Sequence, residues 1–272
     1  MAITSRDQLI AALTLSRNAL IDKASLSNTV AGRFHSLWCA TGVPGQGAIP
    51  TTAAVCTRAT TGALPLTNQT APVATYLAWL ELATANSATN LSVHDRLCHQ
   101  GGLSGTVASP TAQTTNLPLN LTGVSIDRIG PTDLSELTWW LEWYTDTGAT
   151  GVNATLNLTY ADNTTGDVVI ALAATSRASG LYPILPATGK TGIKAVNSLT
   201  LSASTGTAGS FGVTCTRFLT GTTTLVANKS EIRDWAGLGL PVVPNDACLV
   251  LLMFCSTTST GAVRGLLKLA VG

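Results

Sequence analysis

Val152-Asn-Ala-Thr-Leu-Asn-Leu-Thr-Tyr160 is the stretch that decides the fold class of this chain. Apolar side chains occupy every second position of it, and the positions between them are Asn or Thr. Successive side chains of a β-strand point to opposite faces, so this alternation predicts a strand with one buried and one polar face. Turn-forming residues follow at 162–166, and residues 167–174 return as a second strand, which predicts a β-hairpin.

Short apolar segments separated by turn residues continue to the end of the chain. They predict further strands at residues 196–204, 211–219, 249–255 and 263–271. The helices that would connect parallel strands are missing between them, which disfavours an α/β architecture. We therefore predict a mainly β protein whose C-terminal half is an antiparallel β-sandwich or jelly roll.

The N-terminal half lacks this alternation. Ser5 is a suitable helix N-cap, and the apolar residues after it have helical spacing, which predicts a helix that ends near residues 24–28. A second helix is predicted at residues 73–85. We therefore expect an α-containing region of helices and long loops at residues 1–133, followed by a sandwich domain at residues 134–272.

Charged side chains are scarce in this chain. Of its 272 residues, 11% are Asp, Glu, Lys or Arg, whereas roughly 25% is usual for a soluble domain. The polar surface must then come mainly from Thr, Ser and Asn, which are cheaper to desolvate than ions. Such a surface favours a protein that neighbours cover in an assembly. A sandwich with a Thr-coated, solvated outer face fits the composition equally well.

Charge balance and apolar runs exclude several classes of partner. The formal net charge is +1, so the chain lacks the basic surface that nucleic-acid binding requires. The longest apolar run, residues 247–255, is too short to cross a bilayer, so no membrane partner is expected. Arg6 and Asp7 precede the first apolar stretch, which is periodic. We therefore expect no signal peptide, and synthesis in a host cytoplasm.

A second informative stretch is Glu136-Leu-Thr-Trp-Trp-Leu-Glu-Trp-Tyr144. As a strand, it has a core face of Leu and Trp residues and an opposite face that carries Trp140, Glu142 and Tyr144. Aromatic rings beside carboxylates are typical of protein interfaces and of sugar-binding platforms. We predict a subunit interface at Trp140, Glu142 and Tyr144. The alternatives are a glycan platform, or coverage of Trp140 and Tyr144 by the N-terminal region.

The densest group of polar residues is His94-Asp-Arg-Leu-Cys-His99. A metal site would need His94, Cys98 and His99 to point at one ion, which no regular element allows at this spacing. Sequence neighbours rarely have the geometry of a catalytic pair, and no partner constellation occurs elsewhere. We predict instead a packed strand or turn in which Asp95 pairs with Arg96. No catalytic, cofactor-binding or metal-binding residue is predicted.

The six cysteines contain no C-x-x-C pair, so a zinc ribbon or a thioredoxin-like motif is absent. We interpret most of them as small buried apolar residues. Disulfide formation in an oxidising environment stays open, with Cys39 and Cys56 as the least unfavourable pair.

Several of these stretches resemble segments of virion structural proteins of tailed bacteriophages. The resemblance is carried by Val93-His-Asp-Arg-Leu-Cys-His-Gln-Gly-Gly-Leu-Ser-Gly-Thr106, by Trp139-Trp-Leu-Glu-Trp-Tyr-Thr-Asp-Thr-Gly-Ala149, and by residues 152–160 with the Thr- and Gly-rich strands after them. Together these stretches cover much of residues 90–272. The similarity is one of residue pattern rather than of a diagnostic motif.

The resemblance implies a capsid decoration (cement) protein that is bound to a major capsid protein on the surface of the virion. It implies no enzyme activity and no cofactor. The region 1–133 would then contact the capsid or another partner. The low charge and the face with Trp140 and Tyr144 further predict self-association as a homotrimer. The alternative function is that of a tail or fibre module that binds a host-surface glycan.

Overall fold

Antiparallel β-strands make up most of the protein. The computed structural model describes residues 3–26, 28–86, 89–111, 113, 117–206, 209–259 and 261–272. Strands hold 45% of the residues and helices 8%, in several antiparallel sheets, which confirms the prediction of a mainly β protein.

The strands are short except for two that cross the whole molecule. In chain order they are β1 (Arg17–Lys23), β2 (Phe34–Ser36), β3 (Gly42–Val43), β4 (Ala54–Val55), β5 (Thr75–Thr84), β6 (Thr89–Ser104), β7 (Leu119–Asn120), β8 (Leu137–Trp143), β9 (Val152–Tyr160), β10 (Thr165–Leu172), β11 (Gly180–Ile184), β12 (Ile193–Leu201), β13 (Ser210–Thr224), β14 (Glu231–Arg233), β15 (Val242–Val243), β16 (Leu249–Phe254) and β17 (Val263–Val271). The two long strands, β6 and β13, lie side by side.

Helices are few and short in the described ranges. They are α1 (Arg6–Thr14), α2 (Ile126–Ile129), α3 (Trp235–Leu238) and a 3-10 helix at Leu37–Cys39. The predicted cap of the first helix is confirmed, because the Ser5 hydroxyl accepts from the Gln8 amide and the Gln8 side chain accepts from the Ser5 amide. Among the described helices, none has the length and apolar character needed to cross a bilayer.

The strands form three sheets. The first sheet has the order β14-β5-β17-β1-β3, with β15 also paired to β5, and the second sheet has the order β10-β9-β12-β7. The third runs β13-β8-β11-β2-β16-β6-β4. Because β13 also pairs with β6, its first six strands close into a ring, which we call the closed sheet.

The two open sheets pack against different walls of the closed sheet. Trp139, Leu141 and Trp143 of β8 share a core with Leu156 and Leu158 of the second sheet. On the other wall, apolar side chains of β6 and β16 share a core with β1, β5 and β17 of the first sheet. The second sheet and the β8–β13 wall thus form the sandwich expected from the sequence.

The hairpin predicted at the start is confirmed. β9 and β10 pair from Val152 opposite Leu172 to Thr159 opposite Thr165. Apolar positions of β9 are buried, and the Asn and Thr positions between them are exposed or half-buried. Asn157 and Asp167 are hydrogen-bonded across the strands on the outer face.

The predicted extent of the first helix is wrong. The helix ends at Thr14, and residues 17–23 form β1, which pairs along its whole length with β17. Ala19, Ile21 and Lys23 of β1 are buried while the residues between them are exposed, which is strand periodicity. A short apolar segment fits both the periodicity of a helix and that of a strand. Here the long-range pairing with β17 selects the strand.

The helix predicted at residues 73–85 is a strand, β5. Its pairing with β17 shifts register where Lys268 faces Trp79 and Leu269 faces Leu77, which leaves one extra residue in β5. This bulge places Leu77 and Leu80, three residues apart, in the same core. A spacing of three is typical of a helix, so the bulge explains the wrong prediction.

The boundary expected near residue 133 does not separate the sheets. Strands β1 and β5 pair with β17, and β6 pairs with β13 and β16. Residues 1–133 therefore contribute strands to the first sheet and to the closed sheet rather than forming a region of helices and loops.

A buried lysine anchors the loop that follows the 3-10 helix. Lys23 lies at the end of β1 with its ammonium group 2.8 Å from the carbonyl oxygens of Ala40 and Pro44. Burial lowers its pKa to about 8. The ammonium group satisfies carbonyls that have no strand partner in this irregular segment.

We predict that Leu156→Asp unfolds the C-terminal half while Thr155→Asp is tolerated. Leu156 is fully buried, whereas its neighbour Thr155 lies on the opposite, half-buried face. The first change places an unpaired carboxylate in the core and lowers the free energy of unfolding by about 4 kcal/mol, the second by less than about 1 kcal/mol. Urea unfolding measures both. Similar losses for the two variants would contradict the strand register.

Candidate functional site

The interior of the closed sheet holds a charged network. Arg96 of β6 points inward, and its Nη2 lies 3.0 Å from each carboxylate oxygen of Glu142 on β8. Nη2 also donates to the Ser36 hydroxyl, and the guanidinium lies 4.6 Å from the ring centre of Trp38. Burial alone would raise the pKa of Glu142, but the charge of Arg96 and the hydrogen bonds from Arg96 and Ser36 together lower it. Glu142 is therefore ionised and paired.

His99 extends this network to Tyr144. Arg96 Nη1 lies 3.2 Å from His99 Nδ1, and His99 Nε2 lies within hydrogen-bond distance of the Tyr144 hydroxyl. An arginine can only donate, so Nδ1 accepts and the proton of the neutral imidazole is on Nε2. Burial and the charge of Arg96 lower the pKa of His99 to about 3, which keeps the ring neutral.

A second buried ion pair lies on the opposite face of β6. Asp95 Oδ1 and Oδ2 accept from Arg128 Nη2 and Nε of α2 at 2.6 and 2.8 Å. Asp95 also accepts from the Cys248 amide, and Arg128 donates to the carbonyls of Cys56 and Arg96. This pair connects α2 and β6 with the end of β4 and the start of β16.

The predicted pairing of Asp95 with Arg96 is therefore wrong. Adjacent residues of a strand point to opposite faces, so each finds its partner in a different part of the chain. The prediction that His94–His99 forms a packed strand is confirmed, since all of it lies in β6. Among the described residues, no group of three His, Cys, Asp or Glu side chains is placed to hold a metal ion.

The expected exposed interface at Trp140, Glu142 and Tyr144 is corrected by the structure. All three point into the closed sheet, where Trp140 is 4% and Glu142 0% exposed. Phe34 of β2 packs on Trp140 with ring centres 5.2 Å apart. The alternative in which the N-terminal region covers Trp140 and Tyr144 is what the structure shows, so these side chains do not form an exposed subunit interface.

The cysteines are reduced in the structure, and five of the six are buried. Cys98 and Cys215 are direct cross-strand neighbours on β6 and β13. Cys39 lies 3.9 Å from Glu142 rather than beside Cys56. Burial raises the pKa of Cys255 and, further, that of Cys215, as expected for small packed apolar residues.

A cavity opens at the end of the closed sheet, away from the Arg96 network. It has a volume of about 610 Å³ and is lined by Phe34, Asn90, Leu91, Ser92, His94, Thr138, Trp140, Phe218, Gly221, Thr222, Thr223, Arg233 and Phe254. The volume is in the range of small-molecule sites. We call this cavity the mouth pocket.

The outer face of the first sheet carries exposed apolar side chains. Leu20, Leu266, Glu81 and Ile232 lie in one row across β1, β17, β5 and β14. Leu20 is 58% and Ile232 51% exposed, and Trp79 is half-buried beside this row. Helix α1 covers only one end of the face, where Ala12 packs on β5 and β17. We call the row and Trp79 the outer face.

An exposed excursion extends the outer face. Residues 225–242 leave β13, pass along β5 as β14 and return as β15, and most of them are exposed. The excursion carries five exposed large apolar side chains: Leu225, Val226, Ile232, Trp235 and Val242. These residues were not identified from the sequence, because a strand edge is recognised only when the sheet order is known.

Comparisons with known proteins give a remote likeness only. No family model matches this chain, and no curated protein sequence matches it significantly. The chain is similar to the VP2 subviral particle of infectious bursal disease virus, with 13% identity over 94% of this chain and 79% of that chain and a TM-score of 0.20. The Gt strain of the same virus gives 13% identity, coverage of 94% and 80%, and a TM-score of 0.19. These neighbours are virus capsid proteins, and a likeness of this size transfers no function.

We predict that Asp95→Ala lowers the free energy of unfolding by about 3–5 kcal/mol, because it leaves the Arg128 guanidinium buried without its carboxylate. Asp22→Ala is the matched control. Its ion pair with Arg264 is solvent-exposed on both sides, so the loss should stay below about 1 kcal/mol. Chemical denaturation measures the free energy of unfolding of both variants. Equal losses would show that the buried pair is not structural.

We also predict that acid destabilises the protein below about pH 6.5. Burial lowers the pKa of His35 to about 4 and those of His94 and His99 to about 3. Between these values and 6.5 the unfolded chain binds protons that the folded chain does not, so stability falls as the pH falls. The slope is about 1.4 kcal/mol per pH unit for each histidine. Denaturation curves from pH 7.5 to 4.5 measure it, and His94→Asn should remove a third of the slope.

Proposed function

We propose that this protein is a structural component of a virus particle that acts by packing against copies of itself and against a shell. The proposal is supported by the antiparallel sandwich, by the low charge content and by the resemblance to phage virion proteins. The buried charged network links core strands to one another, and its side chains are not accessible to a substrate.

The outer face with its excursion is the observation that carries this proposal. Large apolar side chains gathered on one exposed face are uncommon in monomers and typical of interaction sites. Around Leu20 and Ile232 the charges are few, namely Asp22, Glu81, Arg264 and Lys268, and Asp22 already pairs with Arg264, so a neighbour can cover the face with little desolvation of ions. A second copy of this chain offers an equally apolar surface, so self-association can cover the face.

The finer proposal is a capsid decoration protein of a tailed bacteriophage. It would form a homotrimer, sit on the capsid surface of the virion and bind a major capsid protein across capsomer boundaries. Such a clamp stabilises a shell by adding buried area at its seams, at about 25 cal/mol per Å² of apolar surface before association costs are subtracted. Repetition over the shell multiplies a modest contribution from each copy.

Glycan binding by a tail or fibre module is the alternative. Trp140 lines the mouth pocket, which favours this function, but its indole N–H already donates to the Thr216 hydroxyl. Tyr144 is engaged with His99 inside the closed sheet. Neither residue forms the open platform that the alternative requires.

We predict that the protein sediments as an oligomer, of three copies in the finer proposal, and that Leu20→Asp shifts it toward monomer. A carboxylate at this end of the outer face would lose hydration in the contact without gaining a partner. Val169→Asp is the matched control, because Val169 is 62% exposed on β10 in the second sheet. Sedimentation velocity at micromolar concentration separates the species.

Shell binding is tested with the same two variants. Co-sedimentation with assembled heads that lack their decoration protein should retain the wild type and Val169→Asp. A monomeric wild type that binds no shell would refute the proposal. Sugar binding by an isolated oligomer without shell binding would favour the tail or fibre alternative.

A further inference from the structure

The mouth pocket differs from the rest of the closed sheet in its chemistry. Towards Arg96 the interior is charged and fully packed, whereas towards the mouth it is lined by aromatic rings. Phe34 contacts both Trp140 and Phe254, with ring centres 5.2 and 4.9 Å apart. Phe218 stands edge-on to His94 at 5.5 Å and is 56% exposed at the opening. The walls therefore suit an apolar body.

Several hydrogen-bonding groups of the walls already have partners, although His94 Nδ1 is buried without one among the described residues. The Ser92 hydroxyl lies 2.9 Å from His94 Nε2, Thr223 donates to the Asn90 side chain, and Trp140 donates to Thr216. A sugar that entered the pocket would lose water from its hydroxyls and find few free partners. Because these wall groups already have hydrogen-bond partners, the pocket favours an apolar ligand over a carbohydrate.

One charge stands at the opening. Arg233 of β14 is exposed and lines the pocket, and within the described part of the chain it has no ion-pair partner. No acidic residue lines the pocket. His94 in the wall is neutral, since burial and the charge of Arg96 lower its pKa to about 3. The electrostatics of the pocket are thus those of a single cation at the rim of an apolar cavity.

We propose that the mouth pocket binds an amphipathic anion of the fatty-acid class, with its hydrocarbon chain among Phe34, Trp140, Phe218 and Phe254 and its carboxylate on Arg233. The volume of about 610 Å³ accommodates such a chain. Charge complementarity selects an anionic head, and the aromatic walls select the apolar tail. This site does not use the side chains of the outer face, although Arg233 is next to Ile232 on β14.

Binding is tested on the full-length protein by titration calorimetry with decanoate, with decanol as the uncharged analogue and maltose as the carbohydrate. We expect decanoate to bind with one site per chain, decanol to bind more weakly, and maltose not to bind. No heat with decanoate, or binding of maltose alone, would overturn the proposal.

Two variants locate the site. Arg233→Gln should weaken decanoate binding by about fivefold, the effect of one exposed ion pair, and leave decanol unchanged. Arg264→Gln is the matched control, because it removes an exposed arginine from β17 of the same sheet. Equal effects of the two arginine variants on decanoate would place the anion elsewhere.

A third variant fills the cavity. Thr138→Phe adds a ring inside the pocket at a strand position that tolerates aromatic residues, and it should abolish binding of both decanoate and decanol. An unchanged melting temperature shows that the variant is folded. If it is not folded, Thr222→Leu replaces it, because the larger apolar side chain narrows the cavity from β13 and should weaken binding of both decanoate and decanol. Decanoate binding that survives Thr138→Phe, or that appears only in dissociated monomer, would overturn the proposal, the latter because a neighbouring copy would then occupy the pocket.

Discussion

Buried arginine–carboxylate contacts on the two faces of β6 hold the parts of this protein together. Arg96 points into the closed sheet and meets Glu142 of β8, while Asp95 points out of it and meets Arg128 of α2. A buried charge without its partner is costly, so each contact requires that both elements be in place. Asp95 and Arg96 are successive residues of β6, and their contacts fix the positions of β8, α2 and the start of β16 relative to that strand.

This constraint explains why the interior of the closed sheet is divided. The charged end is filled by Arg96, Glu142, His99 and Tyr144, which contact one another through an ion pair and hydrogen bonds. The opposite end has no buried charge among its lining residues and remains an open cavity with aromatic walls. A rigid polar floor and an apolar mouth are the arrangement that a small amphipathic ligand needs, because preorganised walls reduce the ordering cost of binding.

The proposed assembly surface and the proposed ligand site lie on different parts of the molecule. The outer face lies on the side of the first sheet that points away from the closed sheet, whereas the mouth pocket lies at the end of the closed sheet. The excursion connects the two, since it carries Ile232 on the outer face and Arg233 at the pocket. A change in the conformation of the excursion on assembly would therefore also move Arg233 at the pocket, although each site can be tested alone.

The sequence by itself determined the mainly β class, the hairpin of β9 and β10, the last two strands and the cap of α1, because each depends on local periodicity or on residues close in the chain. Tertiary structure alone decided the rest. Residues 17–23 became a strand by pairing with β17, and a bulge gave β5 the spacing of a helix. Trp140, Glu142 and Tyr144 were rightly placed on one face, but only ring closure through β13 and β6 put that face inside. Periodicity tells which side chains share a face. Whether that face meets water or another strand depends on contacts between residues far apart in sequence, which no local pattern records.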